Sequence, residues 1–125
     1  QMLVGGLVGS SGASLACPDF PFCQPERWYG IGGAQFLQML HRLMAVLLLP
    51  LLLLNIKAGA VAYSGHRVLL FFFVFLPICL YLLQVLLGWL NLLLGIPVFI
   101  TVSHLFTAQL LLQTQVQNLR LQARS

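Results

Sequence analysis

Between Ala34 and Leu119 the chain strings together long apolar stretches, and none of them contains a carboxylate side chain. At ~1.5 Å of rise per residue, about 20 such residues cross a ~30 Å hydrocarbon layer as a helix. Composition points the same way. Of the 125 residues 60% are hydrophobic and 6% are charged, with a mean hydropathy of +0.97. A soluble domain carries about a quarter charged residues, because its surface must face water. Six basic and two acidic side chains could not cover a globule. The surface is therefore expected to face lipid. The net charge of +4 is scattered, with no basic stripe interleaved with aromatics, so a nucleic-acid partner is not expected.

The pattern predicts an all-α fold, a membrane-embedded four-helix bundle forming one domain over 1–125. Residues 1–10 form the first helical segment, too short to cross a bilayer and read as the end of a helix whose start is missing. Gly5, Gly6 and Gly9 in it have close-packing spacing. Residues 11–33 collect proline, glycine, Cys17, Cys23 and both acids, Asp19 and Glu26, and read as a loop outside the membrane. Further spans are expected at about 34–56, 68–94 and 97–119. Lys57 to Arg67 is a polar connection, Gly95-Ile96-Pro97 a tight turn, and Pro50 and Pro77 mark bends.

Orientation follows from the basic residues. Lys57, Arg67, Arg120 and Arg124 gather on one side, while Arg27 on the other is offset by Asp19 and Glu26. The positive-inside rule then puts the Cys17/Cys23 loop outside and the C-terminus in the cytoplasm. This suits a multi-pass protein of a prokaryotic cell membrane or the mitochondrial inner membrane. An even pair of loop cysteines facing an oxidising compartment suggests a disulfide. Cys79, inside an apolar run, reads as a small core residue.

Histidine carries the chemistry. His41 and His104 each lie about seven residues into spans that start on the same side, so both sit roughly 10 Å below one boundary. Ionisable groups at such depth are costly and mark functional sites. Each ring could simply hydrogen-bond a neighbouring helix. Matched depth instead favours two axial ligands of one heme iron, since a four-helix core can hold a macrocycle. Zinc would want three or four ligands, and no third one lies at that depth. Arg42 has no acid in any span to pair with. It is expected either to meet a ligand anion such as a heme propionate or to snorkel to headgroups. Gln38 lies one turn before His41 and could bond a ligand or a helix. His66 reads as a solvated loop residue. Gln84, Asn91, Gln109 and Gln113 read as interhelical hydrogen-bonding residues, and Gly88 as a point of close approach.

The string Ser10-Ser11-Gly12-Ala13-Ser14-Leu15-Ala16-Cys17-Pro18-Asp19-Phe20-Pro21-Phe22-Cys23 resembles the loop of the heme A synthase family. Gly5-Gly6-Leu7-Val8 resembles the end of that family's first helix. Gln38-Met39-Leu40-His41-Arg42-Leu43-Met44-Ala45 is similar to its heme-ligand motif. Gln84 to Gly88, then Pro97, then His104-Leu105 with Ala108, resembles the third and fourth helices of one half of the family. The resemblance runs over nearly the whole chain. It implies an eight-span protein of two similar halves, each with a heme site and a histidine pair, one for the substrate heme O and one for heme b. It implies oxidation of a ring methyl to the formyl group of heme A, for terminal oxidase assembly. By position, His41 and His104 would be axial ligands, and Cys17 and Cys23 the loop disulfide.

One departure bears on the reaction. The catalytic half of the family has a glutamate where this chain has Gln38, and an amide neither takes up nor releases a proton at ordinary pH. Two functions therefore compete. One is an oxidoreductase of heme A synthase type, completed by a second copy or a second four-helix half. The other is a non-catalytic bis-histidine heme b carrier or accessory subunit of a respiratory complex.

Overall fold

The computed structural model describes residues 1–17, 19, 23 and 32–124. Four α-helices make the fold, with no strand among the described residues. They are α1 (Met2–Ser10), α2 (Gly33–Ala62), α3 (Arg67–Leu93) and α4 (Val98–Gln122). A single 3₁₀ turn, Ala13–Leu15, follows α1. The all-α bundle expected from sequence is thus observed. Helices α2 and α3 are long and apolar enough to cross a membrane. Helix α4 is as long, but its second half carries Gln113, Gln115, Gln117, Asn118 and Gln122.

Helices α3 and α4 form an antiparallel hairpin joined by a tight turn, and this is the most extensive packing in the molecule. Gly95 and Ile96 both take positive φ, 69° and 61°. The second is unusual for a β-branched residue. The turn holds because Ile96 N–H donates to Asn91 O at 2.8 Å, and Pro97 then caps α4 with its fixed φ. Thr101 Oγ1 donates to Asn91 Oδ1 at 3.0 Å, closing the same corner from the side-chain level.

The end of α2 differs from the sequence reading. Helix α2 does not stop at Lys57 but runs to Ala62. The alanine-rich tail favours helix, and Gly59 is pressed against α4, so packing overrides the polar residue. The connection to α3 is correspondingly short, with His66 exposed in it. Within α3, Phe71–Phe75 form a π-helical turn immediately before Pro77. A proline ring clashes with the carbonyl one turn back, and a widened turn makes room for it. Pro50 lies inside α2. Cys79, expected in the core, is exposed on α3. A helix apolar on every side does not reveal its buried face by hydropathy alone.

Helix α2 packs on α4, on the π turn of α3, and on α1. Its register against α4 is readable from one hydrogen bond. Asn118 Nδ2 donates to Asn55 Oδ1 at 3.2 Å, a partner 63 positions earlier. His104 also follows His41 by 63 positions. Helices α2 and α4 run parallel with that offset, which brings the two histidines level.

Candidate functional site

The site lies at the end of the bundle where α2 and α4 begin. Each histidine ring rests on a glycine of a neighbouring helix. A methyl group built on Gly5 of α1 would come within 2.9 Å of His41 Cε1. One built on Gly88 of α3 would come within 3.2 Å of His104 Cε1. Gly6 and Gly9 face open space, so of the α1 glycines only Gly5 has this role. Glycine lets a flat ring lie against the helix backbone, and any larger residue would push each imidazole off its present position.

The polar groups around these rings do not satisfy one another. Gln84 Nε2 contacts His104 Nε2 at 3.1 Å. With the amide donating, the His104 proton sits on Nδ1, and that atom is buried without a partner. His41 Nδ1 is likewise buried and unpartnered, as are Gln84 Oε1, Gln38 Oε1 and Gln1 Oε1. A buried polar atom without a hydrogen bond costs about 1–3 kcal/mol. Of the six such atoms among the described residues, five belong to Gln1, Gln38, His41, Gln84 and His104. That concentration singles out this end of the bundle as the candidate site.

The segment after α1 folds down against the same end of α2. Ala13 and Cys17 are completely buried. Gln38, 6% exposed, donates Nε2 to Ser14 O at 3.3 Å. Arg42, expected to meet a ligand anion or headgroups, donates Nη1 to Asp19 O and Nη2 to Cys17 O, each at 2.7 Å. Irregular backbone beside apolar helices needs its carbonyls satisfied, and a guanidinium with five donors does this well. Cys17 and Cys23 are joined sulfur to sulfur. Glu26 and Arg27, which entered the orientation argument, lie outside the described residues.

No third His, Cys, Asp or Glu gathers with these rings among the described residues, so a multi-ligand metal cage is not formed there. A groove of about 430 Å³ on the α3/α4 face, lined by Leu80, Leu83, Leu87, Phe106 and Leu110 with Ser103 and Thr107, contains no titratable side chain.

At the other end of the bundle sits a polar cluster that sequence reasoning missed. Asn55 Nδ2 donates to Gln115 Oε1 at 2.6 Å, and Gln122 Nε2 donates to Asn118 Oδ1 at 2.8 Å and to Asn55 Oδ1 at 3.3 Å. Asn118 is fully buried. Gln109 and Gln113, which were expected in this role, are exposed. Gln115, Asn118 and Gln122 share an i, i+3, i+7 face, the spacing that could have identified them.

The class of the chain is shown by its sequence relatives. A family profile described as "Cytochrome oxidase assembly protein" matches residues 1–116. The heme A synthase of Geobacillus thermodenitrificans is 28% identical over 102 residues, which is 82% of this chain and 32% of that protein. The heme A synthases of Bacillus cereus (strain 03BB102) and Bacillus anthracis (strain A0248) are each 48% identical over 44 residues, 35% of this chain and 14% of theirs. No solved structure matches. The chain belongs to the heme A synthase family of cytochrome oxidase assembly proteins. It spans about a third of the length of the Geobacillus relative.

Proposed function

We propose that His41 and His104 would hold the iron of one heme, in a protein of heme A synthase type that converts heme O to heme A for terminal oxidase assembly. The observation that carries this reading is the cluster of unpartnered polar atoms around two level imidazoles, each backed by a glycine. The donor set fits a macrocycle, which needs two imidazoles and no third protein ligand. When bound, the heme supplies a redox-active iron and, as heme O, the ring methyl that becomes the formyl group.

The chain's own residues hold and orient. Gly5 and Gly88 let the rings lie flat against helix backbone. Gln84 shares His104 Nε2 and would have to release it for that nitrogen to bind iron. Arg42 fixes the loop carbonyls of Cys17 and Asp19 and would supply a positive charge to a heme propionate. The Cys17–Cys23 disulfide closes the same loop, which suits an outward, oxidising side with the C-terminus in the cytoplasm. A second copy, a second four-helix half or respiratory-complex subunits would complete the lipid-embedded assembly.

A second reading is favoured by Gln38. Its side chain reaches the loop at Ser14 and offers no carboxylate beside His41. The chain is then a heme b-holding unit that does not itself oxidise the substrate. Pigment extraction from the purified full-length protein tests both. Heme A or an oxidised intermediate supports the enzyme, and heme b that never changes identity supports the carrier. An extract without heme overturns the site. On the carrier reading, Gln38→Glu leaves heme A formation in cells unchanged; a rise or fall in it moves the choice to the enzyme.

A further inference from the structure

We propose that Asn55 and the amides of α4 act as a key that sets the sliding register of α2 against α4, and so holds the two histidines level. Asn55 is a single tooth on α2. It engages Gln115, Asn118 and Gln122, which occupy two turns of one α4 face. Tyr63 Oη adds a bond to Asn118 O at 3.5 Å, and Gly59 leaves room for both Asn118 and Gln122.

The surrounding surfaces are otherwise smooth in chemistry. Leucine rows slide past one another with little change in energy, so apolar packing in lipid specifies register weakly. A slip of α4 by one turn, about 5.4 Å, would offer Asn55 the positions of Leu111, Thr114 and Asn118 in one direction. In the other it would offer Leu119 and Gln122. Either slip strands buried amides without partners, which is costly in lipid. A buried asparagine that fixes register is the best-attested use of such groups.

The link to the histidines is one of spacing. His41 precedes Asn55 by 14 residues, and His104 precedes Asn118 by the same 14. Continuous helix carries the register over those ~21 Å, through Pro50 in α2. Asn55 and Asn118 are positioning residues, remote from the rings they align. This last step rests on the heme reading; the key itself does not.

Phe36 and Phe99 are exposed near the starts of α2 and α4 and share the 63-residue offset. Nitroxide labels on Phe36→Cys and Phe99→Cys, with Cys79 and other free thiols replaced, report the register in the full-length protein in nanodiscs. We expect one narrow distance by double electron–electron resonance. Asn118→Leu should at least double its width or add a second peak. Gly59→Ala keeps every polar group and should move it the same way by less. Unchanged widths in both variants overturn the key, even if thermal stability falls. Heme spectra of the same samples separate the two claims. A wider distance with an unaltered low-spin spectrum overturns the link to the histidines. A wild type without heme, but with variant-sensitive distances, overturns the heme reading and leaves the key standing.

Discussion

The two ends of the α2/α4 pair are built from similar material and behave oppositely. At the Asn55 end, four amides and a tyrosine bond one another around a fully buried Asn118. At the His41 end, two imidazoles and three glutamines crowd together and leave five polar atoms without partners. Both ends also set a glycine beside the key side chain: a methyl built on Gly59 would come within 3.2 Å of Asn118, and one on Gly88 within 3.2 Å of His104. The first end leaves one buried atom, Gln115 Nε2, without a partner. The second leaves five, and the heme proposed for it would account for that difference between a structural cluster and a site.

The largest effect should come from removing a ring. His104→Ala is expected to abolish a low-spin heme absorption spectrum in the purified protein, while the helical circular dichroism stays. An unaltered spectrum would remove His104 from the ligand set. It would also erase the contrast, since the unpartnered atoms would then have no ligand to explain them.

The two glycines test the contrast more finely. Gly59→Ala and Gly88→Ala each add one methyl at the same distance from a neighbour. Overpacking costs about 1–3 kcal/mol. For Gly59→Ala we expect this as lost thermal stability, because the displaced Asn118 has bonds to lose. For Gly88→Ala we expect a smaller loss of stability and a several-fold weaker heme affinity, measured by titration into the heme-stripped protein. If both variants lose stability alike and heme affinity is unmoved, the ends are not different in kind.

Much of this was legible in the sequence, and the failures share a cause. Charge-free apolar runs, turn residues and the matched depth of His41 and His104 are one-dimensional patterns, and the four helices and the level histidines follow from them. Facing is not one-dimensional in a chain this apolar. Cys79 looks like core yet is exposed, because α3 has apolar residues all round. Lys57 looks like a helix end, yet Gly59 two residues later is held against α4. Arg42 has no acid in its span, and the partners it found are backbone carbonyls at Cys17 and Asp19, which no residue pattern announces.

The α4 amides show the same point and support the mildest test. Gln113 and Asn118 are less than two turns apart on one helix, and composition alone treats them alike. Gln113 is exposed, whereas Asn118 has no accessible surface and bonds α2. Gln113→Leu should therefore change thermal stability by no more than about 0.5 kcal/mol, as exposed substitutions do. In lipid it removes an unshared amide, so a slight gain is the expected sign. A loss of 1 kcal/mol or more, measured by thermal unfolding in the same nanodiscs, would mean that Gln113 also meets a partner. The amide chemistry of α4 would then serve two faces, and the cluster around Asn118 would no longer stand apart from the rest of the helix.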